Sequence, residues 1–458
     1  MAYKSVNPYT NETLNEYENA TDNEIESALQ TATDLAQAWE NVSINERASV
    51  LHAVASQLRN EKQAMAEVMT SEMGKLIGES EEEVDLCATI ADYFADHAEE
   101  FMQPIEIETK DAKATVLKQA FGPILACEPW NFPLYQVMRI FAPNFMVGNP
   151  VILKHASIVP GSARKIAQIV EDAGAPEGSL INLFLDYDQI ADIIADSRIT
   201  GVALTGSERG GKSVAKAAGE NLKKSTLELG GNDAFVVLED VDISLLNKIA
   251  PAARLANSGQ TCTASKRFIV PDALYDDFVD ALIVSFSEMK MGDPMDRTTS
   301  LAPMSSEHGR EKLQKQVDEA IANGAKVAYG DEPVQAEGQF FMPTILTDVT
   351  PENPIFDEEL FGPVAQVFRV HSEEEAIQLA NNSQYGLGSV VMSSDLKHAE
   401  EVASQIKAGM TFVNHGWTSL PELPFGGVRN SGYGRELSKQ GLMTFVNEHL
   451  IYTTEPKE

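Results

Sequence analysis

The chain has 458 residues, 43% hydrophobic and 23% charged, the composition of a globular protein built from two or three domains. Its 69 acidic residues against 35 basic ones give a formal charge of −34, so nucleic acid and anionic membrane surfaces are excluded as partners and an anionic ligand needs a local cation. Apolar runs such as 151–153 and 236–238 are too short to span a bilayer, "MAYKSVNPYT" has no apolar signal region, and three scattered cysteines fit a reducing cytoplasm.

The first hundred residues predict helices. Thr21 and Glu24 form a capping box ahead of Ile25, Leu29, Ala32, Ala36 and Trp39, and Ser43 and Glu46 repeat the signal ahead of Val50, Val54 and Leu58. Cys87 stands at helical spacing with Val84, Ala88 and Ala91, which reads as a core thiol. After Phe121 short apolar runs alternate with helical stretches: "PILAC", "VILKH", a helix after Pro160, "INLFL", "ITGVALTG", a helix after Gly211, and "AFVVLED". That alternation predicts a parallel, doubly wound sheet with ligands beyond the carboxyl ends of its strands, at "EPWNFP", "KHAS" and "TGSERGG". A second α/β series carries "KRFIV", "AKVAYG", "VAQVFRV", "GSVVMSS" and "MTFVN" as strands, with no linker or repeat between the two.

Four positions bear chemistry. Cys262, in "SGQTCTAS", has no neighbouring cysteine or histidine, so it is either a small buried hydrophobe or a loop nucleophile, and not part of a zinc pair or redox couple. "TGSERGG" lacks the full GxGxxG spacing; Gly206 at a strand end and Gly211 at a helix start make a phosphate site or a tight turn. Glu228, between Leu227 and Leu229, is either paired or raised in pKa toward general-base work. Asn131 in "WNFP" is either a turn residue or a fixed amide donor. The eight histidines form no HExxH or Cys/His cluster, so no metal is expected.

Read together, "PWNFP", "LK" at 153–154, "TGS", "LELGG", "GQTC", "EELFGPV" and "PFGG", in that order from Pro129 to Gly427, resemble the aldehyde dehydrogenase superfamily. The resemblance implies an α/β fold with a discontinuous Rossmann-type cofactor domain (1–100 and 122–232), an α/β catalytic domain (233–440) and a small β oligomerisation arm (101–121 and 441–458), in a homodimer or dimer of dimers. It implies that Cys262 attacks an aldehyde, that Asn131 and the Cys262 N–H hold the oxyanion, and that Glu228 activates the hydrolytic water. It assigns Lys154 to the adenosine ribose, Gly206 and Ser207 to the diphosphate, Glu359 to the nicotinamide ribose, and Trp130, Leu229 and Phe361 to the nicotinamide end. Ser157 stands where many NAD-using members carry Glu, so NADP is expected to be preferred, with NAD accepted.

"NFPLYQVMR", "VILKH" and "SLPELPFGG" are similar to the short succinate semialdehyde dehydrogenases, which implies that Arg139 and Ser419 hold a distal carboxylate. The alternative for Arg139 is an ion pair within the protein. Alternatives for the activity are a general aliphatic aldehyde dehydrogenase and a thiol hydrolase without nucleotide.

Overall fold

In the computed structural model, which describes residues 3–110, 112–334 and 336–455, Thr21 and Ser43 cap the first two long helices, Asp22–Trp39 and Ile44–Asn60. Each hydroxyl accepts the N–H of the glutamate three residues on at 3.3 Å, and that glutamate accepts from the cap backbone in return. Lys62–Met73 and Ile77–Phe101 follow, and Leu51, Val54, Leu58, Val84 and Cys87 pack without exposure against Phe141 and Phe145 of the helix Tyr135–Val147. Cys87 is thus a core thiol, and burial holds its pKa far above the ordinary range.

The first sheet has six strands in the order Gly432–Tyr433, Lys224–Glu228, Gly201–Thr205, Ile124–Glu128, Val151–His155, Leu180–Asn182. All are parallel except the first, which runs antiparallel to Lys224–Glu228. Their carboxyl ends deliver Glu228, Thr205, Glu128 and His155 to one edge, where a doubly wound sheet binds ligands. Gly432 closes on Leu227 with φ 107°, a close approach that only glycine permits. That turn carries the chain after the "PFGG" motif back under Glu228 and brings Glu436 with it.

Two sequence expectations are corrected. "AFVVLED", read with the first series, forms Asp233–Val237 at the heart of the second sheet, because an apolar run buried on both faces does not say which sheet it joins. Gly211 is not at a helix start: the helix is Glu208–Glu220, capped by Ser207, and Gly211 lies inside it, where a Cβ would come 2.7 Å from Leu229 Cδ2. Its bareness serves helix-to-strand packing.

The second sheet orders Lys326–Tyr329, Thr344–Thr347, Val364–Val370, Ser265–Pro271, Asp233–Val237, Ser389–Met392 and Phe412–Val413, parallel apart from its first pair. A third, antiparallel sheet of Val446–Thr453, Lys113–Ala120 and Ile105–Glu108 leaves Ile105, Ile107, Leu450, Ile451 and Tyr452 exposed. Of the arm expected over 101–121 and 441–458, residues 111 and 456–458 lie outside the described residues. Among the described residues no helix is long and apolar enough to cross a membrane.

Candidate active site

The segment after Ile124–Glu128 is fixed from two sides. His155 Nε2 donates to the Pro133 carbonyl at 2.8 Å while its Nδ1 accepts from Ala156 N at 2.8 Å, and burial pushes the ring's pKa down to about 4, so it holds the loop as a neutral imidazole. Glu83 accepts from the N–H groups of Leu134 and Tyr135, both at 2.9 Å, and is itself paired with the buried Lys75. Between these anchors Asn131 is nearly buried, with Nδ2 donating to the Gln260 carbonyl at 3.1 Å. Its amide is therefore aimed at the cysteine loop, as a fixed donor and not a turn residue.

That loop is strained by construction. Asn257 and Ser258 both have φ 52° and Gly259 has φ 74°, three successive left-handed residues, and Gly259 presses on the Gly362 carbonyl so closely that no side chain fits. The strain is held by Asn257 Nδ2 on the Asn131 carbonyl at 2.9 Å, by Ser258 Oγ on the Ala302 carbonyl at 2.7 Å, and by buried Arg254 on the Val364 and Leu360 carbonyls at 2.6 and 2.7 Å. The turn presents Cys262, half-buried, to a cavity of about 650 Å³. Burial pushes its thiol up to about 12, opposed by the charges of Lys266 and Arg139.

Glu228 faces the same cavity from the end of its strand. Both carboxyl oxygens are buried with no hydrogen-bond partner, and a Cβ at Gly426 would come within 2.5 Å of one of them. Burial first, and then the nearby Glu436, raise its pKa well above the carboxylate range, with Arg139 pulling the other way. Glu228 is therefore without a hydrogen-bond partner, and its pKa is raised.

Trp130, Asn131, Gly206, Ser207, Glu228, Leu229, Cys262, Glu359 and Phe361 all line this cavity. Trp130 and Phe361 meet edge to face with ring centres 5.7 Å apart. A Cβ on Gly206 would meet nothing nearer than Leu204 Cδ2 at 3.7 Å, so the protein itself does not demand glycine there; the bare backbone leaves room at the N-terminus of Glu208–Glu220 for a phosphate. Glu359 accepts from Gly231 N at 3.0 Å and lies over Gly230, where any Cβ would collide with its carboxylate. These features fit a dinucleotide.

Four expected site residues lie outside the cavity lining. Lys154 is half-buried at the end of Val151–His155, its ammonium 5.9 Å from the Tyr3 ring centre, and Ser157 follows with its carbonyl accepting from Lys4 N at 3.0 Å. Both stand on the same carboxyl edge, farther out along the sheet. Arg139 is buried: Nε meets Glu436 at 2.6 Å, Nη2 donates to Thr205 Oγ1 at 3.3 Å, and the guanidinium stacks on Phe425 and Tyr135 at 4.3 and 4.7 Å. Ser419 bonds the Tyr135 hydroxyl, which in turn accepts from Arg139 Nη1 at 3.4 Å. The sequence reading missed Glu436, Thr205, Lys266 and His155. His155, in the noted "KHAS" loop, and Thr205, in "TGSERGG", had a local signal; Glu436 and Lys266 had none.

The family model for the aldehyde dehydrogenase family matches residues 1–451. The chain belongs to the aldehyde dehydrogenase family. It is 45% identical over its full length to the succinate-semialdehyde dehydrogenase [NADP(+)] of Deinococcus radiodurans, covering 96% of that protein. It is 39% identical to succinate semialdehyde dehydrogenase [NAD(P)+] Sad of Escherichia coli, over 98% of this chain and 97% of that one. Its structure is similar to the crystal structure of succinic semialdehyde dehydrogenase from Streptococcus pyogenes in complex with NADP+, with a TM-score of 0.98 and 53% identity over 99% of this chain and 100% of that chain. Cys262, Asn131 and Glu228 thus converge on one cavity from two separate loops and a strand end.

Proposed function

We propose that this protein oxidises succinate semialdehyde to succinate with NADP. The convergence of Cys262, Asn131 and Glu228 on one cavity carries the reading, in a chain similar over its whole length to enzymes so named. Cys262 Sγ attacks the aldehyde carbon, and the oxyanion is held by Asn131 Nδ2 and the Cys262 N–H, each donor supplying on the order of 3 kcal/mol in the transition state. The bound nicotinamide supplies the hydride acceptor. Glu228 then takes a proton from water as its oxygen attacks the thioester, the C–S bond breaks and the acid leaves.

Lys154, Gly206, Ser207 and Glu359 hold the cofactor, with Trp130, Leu229 and Phe361 around its nicotinamide end. Ser157, neutral and three residues from Lys154, adds no carboxylate to repel a 2′-phosphate; NAD is accepted as a second cofactor. Ser419 and Tyr135 meet the distal carboxylate, with the Arg139 guanidinium behind them. One observation favours a second reading, a general aliphatic aldehyde dehydrogenase: the Arg139 charge is already matched by Glu436. Initial rates at 340 nm with succinate semialdehyde and butanal, each with NADP and NAD, separate the two. A preference of tenfold or more for the carboxylated aldehyde and for NADP is expected; equal rates for both aldehydes leave aldehyde oxidation standing and remove the substrate assignment.

The exposed apolar residues of the third sheet and its unpaired edges support a homodimer or dimer of dimers built through that sheet. Three free cysteines, two of them buried, suit a cytoplasmic protein.

A further inference from the structure

Lys266 is the second residue of the strand Ser265–Pro271 and has no exposure to solvent. Its side chain curls back over the turn before it. The ammonium donates to the carbonyl of Thr261 at 2.9 Å and to that of Cys262 itself at 2.5 Å, and it lies 3.4 Å from Glu359 Oε1. Two hydrogen bonds and the nearby carboxylate favour the charged head group, while burial pulls its pKa down. An apolar strand residue would have met the packing requirement at this position without a buried charge.

We infer that Lys266 is the cation that readies Cys262, fixing the nucleophile's turn through two of its carbonyls and setting its charge beside the thiol, with Glu359 governing how much of that charge the thiol feels. The inference rests on the reading of Cys262 as nucleophile. Among the described residues, the charged and titratable groups facing the thiol are few. Lys266 from its own strand and Arg139 from Tyr135–Val147 favour the thiolate. Glu359 from the segment before Val364–Val370 and Asp233 at the start of Asp233–Val237 oppose it, and Glu228 lines the same cavity. Arg139 is committed to Glu436 at 2.6 Å, whereas Lys266 bonds to neutral carbonyls and faces two carboxylates less closely: Glu359 at 3.4 Å, which also serves Gly231 N, and Asp233. Lys266 is thus the cation held less closely by a carboxylate. A ligand that draws Glu359 toward itself, as the nicotinamide ribose does under the proposed function, leaves still more of its charge for the thiol.

The test is the rate of Cys262 alkylation by iodoacetamide from pH 6 to 10 in the full chain without cofactor, read by mass spectrometry of the Cys262 peptide. Lys266→Met is expected to react at least tenfold more slowly than wild type at pH 8, by a shift of the pH midpoint with the alkaline plateau kept. Lys266→Arg is expected within threefold of wild type, and Glu359→Gln at least threefold faster. An unchanged midpoint in Lys266→Met, a loss confined to the plateau, equal slowing in Met and Arg variants, or slowing in Glu359→Gln overturns the inference. Should Lys266→Met not fold, the Arg and Gln variants decide it. Aldehyde oxidation surviving in Cys262→Ser instead overturns the nucleophile reading, and the two failures are told apart because alkylation needs no turnover.

Discussion

Cys262 and Glu228 face one cavity from opposite electrostatic surroundings. On the thiol side the buried Lys266 donates to two main-chain carbonyls, both of the nucleophile's own turn, and lies 3.4 Å from Glu359. On the base side Glu228, Glu128 and Glu436 are all buried near Arg139, which is paired with Glu436, and Arg435 also acts on Glu228. Neither Glu228 nor Glu128 has a hydrogen-bond partner for either carboxyl oxygen. Burial alone would push the thiol and the carboxyls upward together, making both proton-bound. What differs is the largest charge effect: Lys266 opposes the rise at the thiol, whereas Glu436 adds to it at Glu228.

The largest effect expected from breaking this contrast is on turnover. Glu228→Gln removes the proton acceptor but leaves Cys262, Asn131 and Lys266 untouched. Steady-state oxidation should fall on the order of a thousandfold, at the upper range for general-base removal, while one equivalent of reduced cofactor still forms in a rapid burst. Stopped-flow absorbance at 340 nm reads both phases. Loss of the burst along with turnover would mean that Glu228 acts before the thioester and that the two sides are not independent.

Next in size is the guanidinium that the base side shares. Arg139→Met leaves Glu436 buried beside Glu128 and Glu228 without a cation, and should lower stability by about 3–5 kcal/mol in urea unfolding. The double variant Arg139→Met with Glu436→Gln should recover most of that loss, since removing both partners of a buried pair is often near neutral. If Arg139→Met is as stable as wild type, Arg139 is not the base side's counterion and its charge is free for a substrate carboxylate.

Much of this was legible from the chain because the signals were local. Capping boxes at Thr21 and Ser43, short apolar runs and the loops at their carboxyl ends located the helices and the sheet edge, while the family resemblance supplied Trp130, Leu229, Glu359 and Phe361 of the cavity lining. What escaped were relations between distant segments. Nothing around Arg139 announces Glu436, which arrives only because Gly432 lets the chain cross Leu227. "KRFIV" reads as a strand, and whether its lysine points to solvent or folds back onto the preceding turn is decided by burial of the whole sheet. The hairpin of Tyr3–Val6 and Thr13–Tyr17 was silent for another reason: its second strand is almost wholly exposed, so it has no alternation to read.

The smallest effect is on stability and has a definite sign. Because the Glu228 pKa is raised in the folded protein, the folded state keeps a proton that the unfolded chain releases above pH about 4.5. Its contribution to stability is therefore fully present below that pH and is lost as pH rises toward the folded-state pKa. A glutamine has no such loss. Glu228→Gln should match wild type near pH 4.5 and become progressively more stable than wild type as pH rises, with a higher melting temperature. Melting curves across that range for both proteins would show the gap widening with pH. A gap that stays constant would place the gain in packing, and one that reverses would mean the carboxylate is welcomed at alkaline pH. In that event the base side is not short of positive charge, and the contrast with the thiol side rests on Lys266 alone.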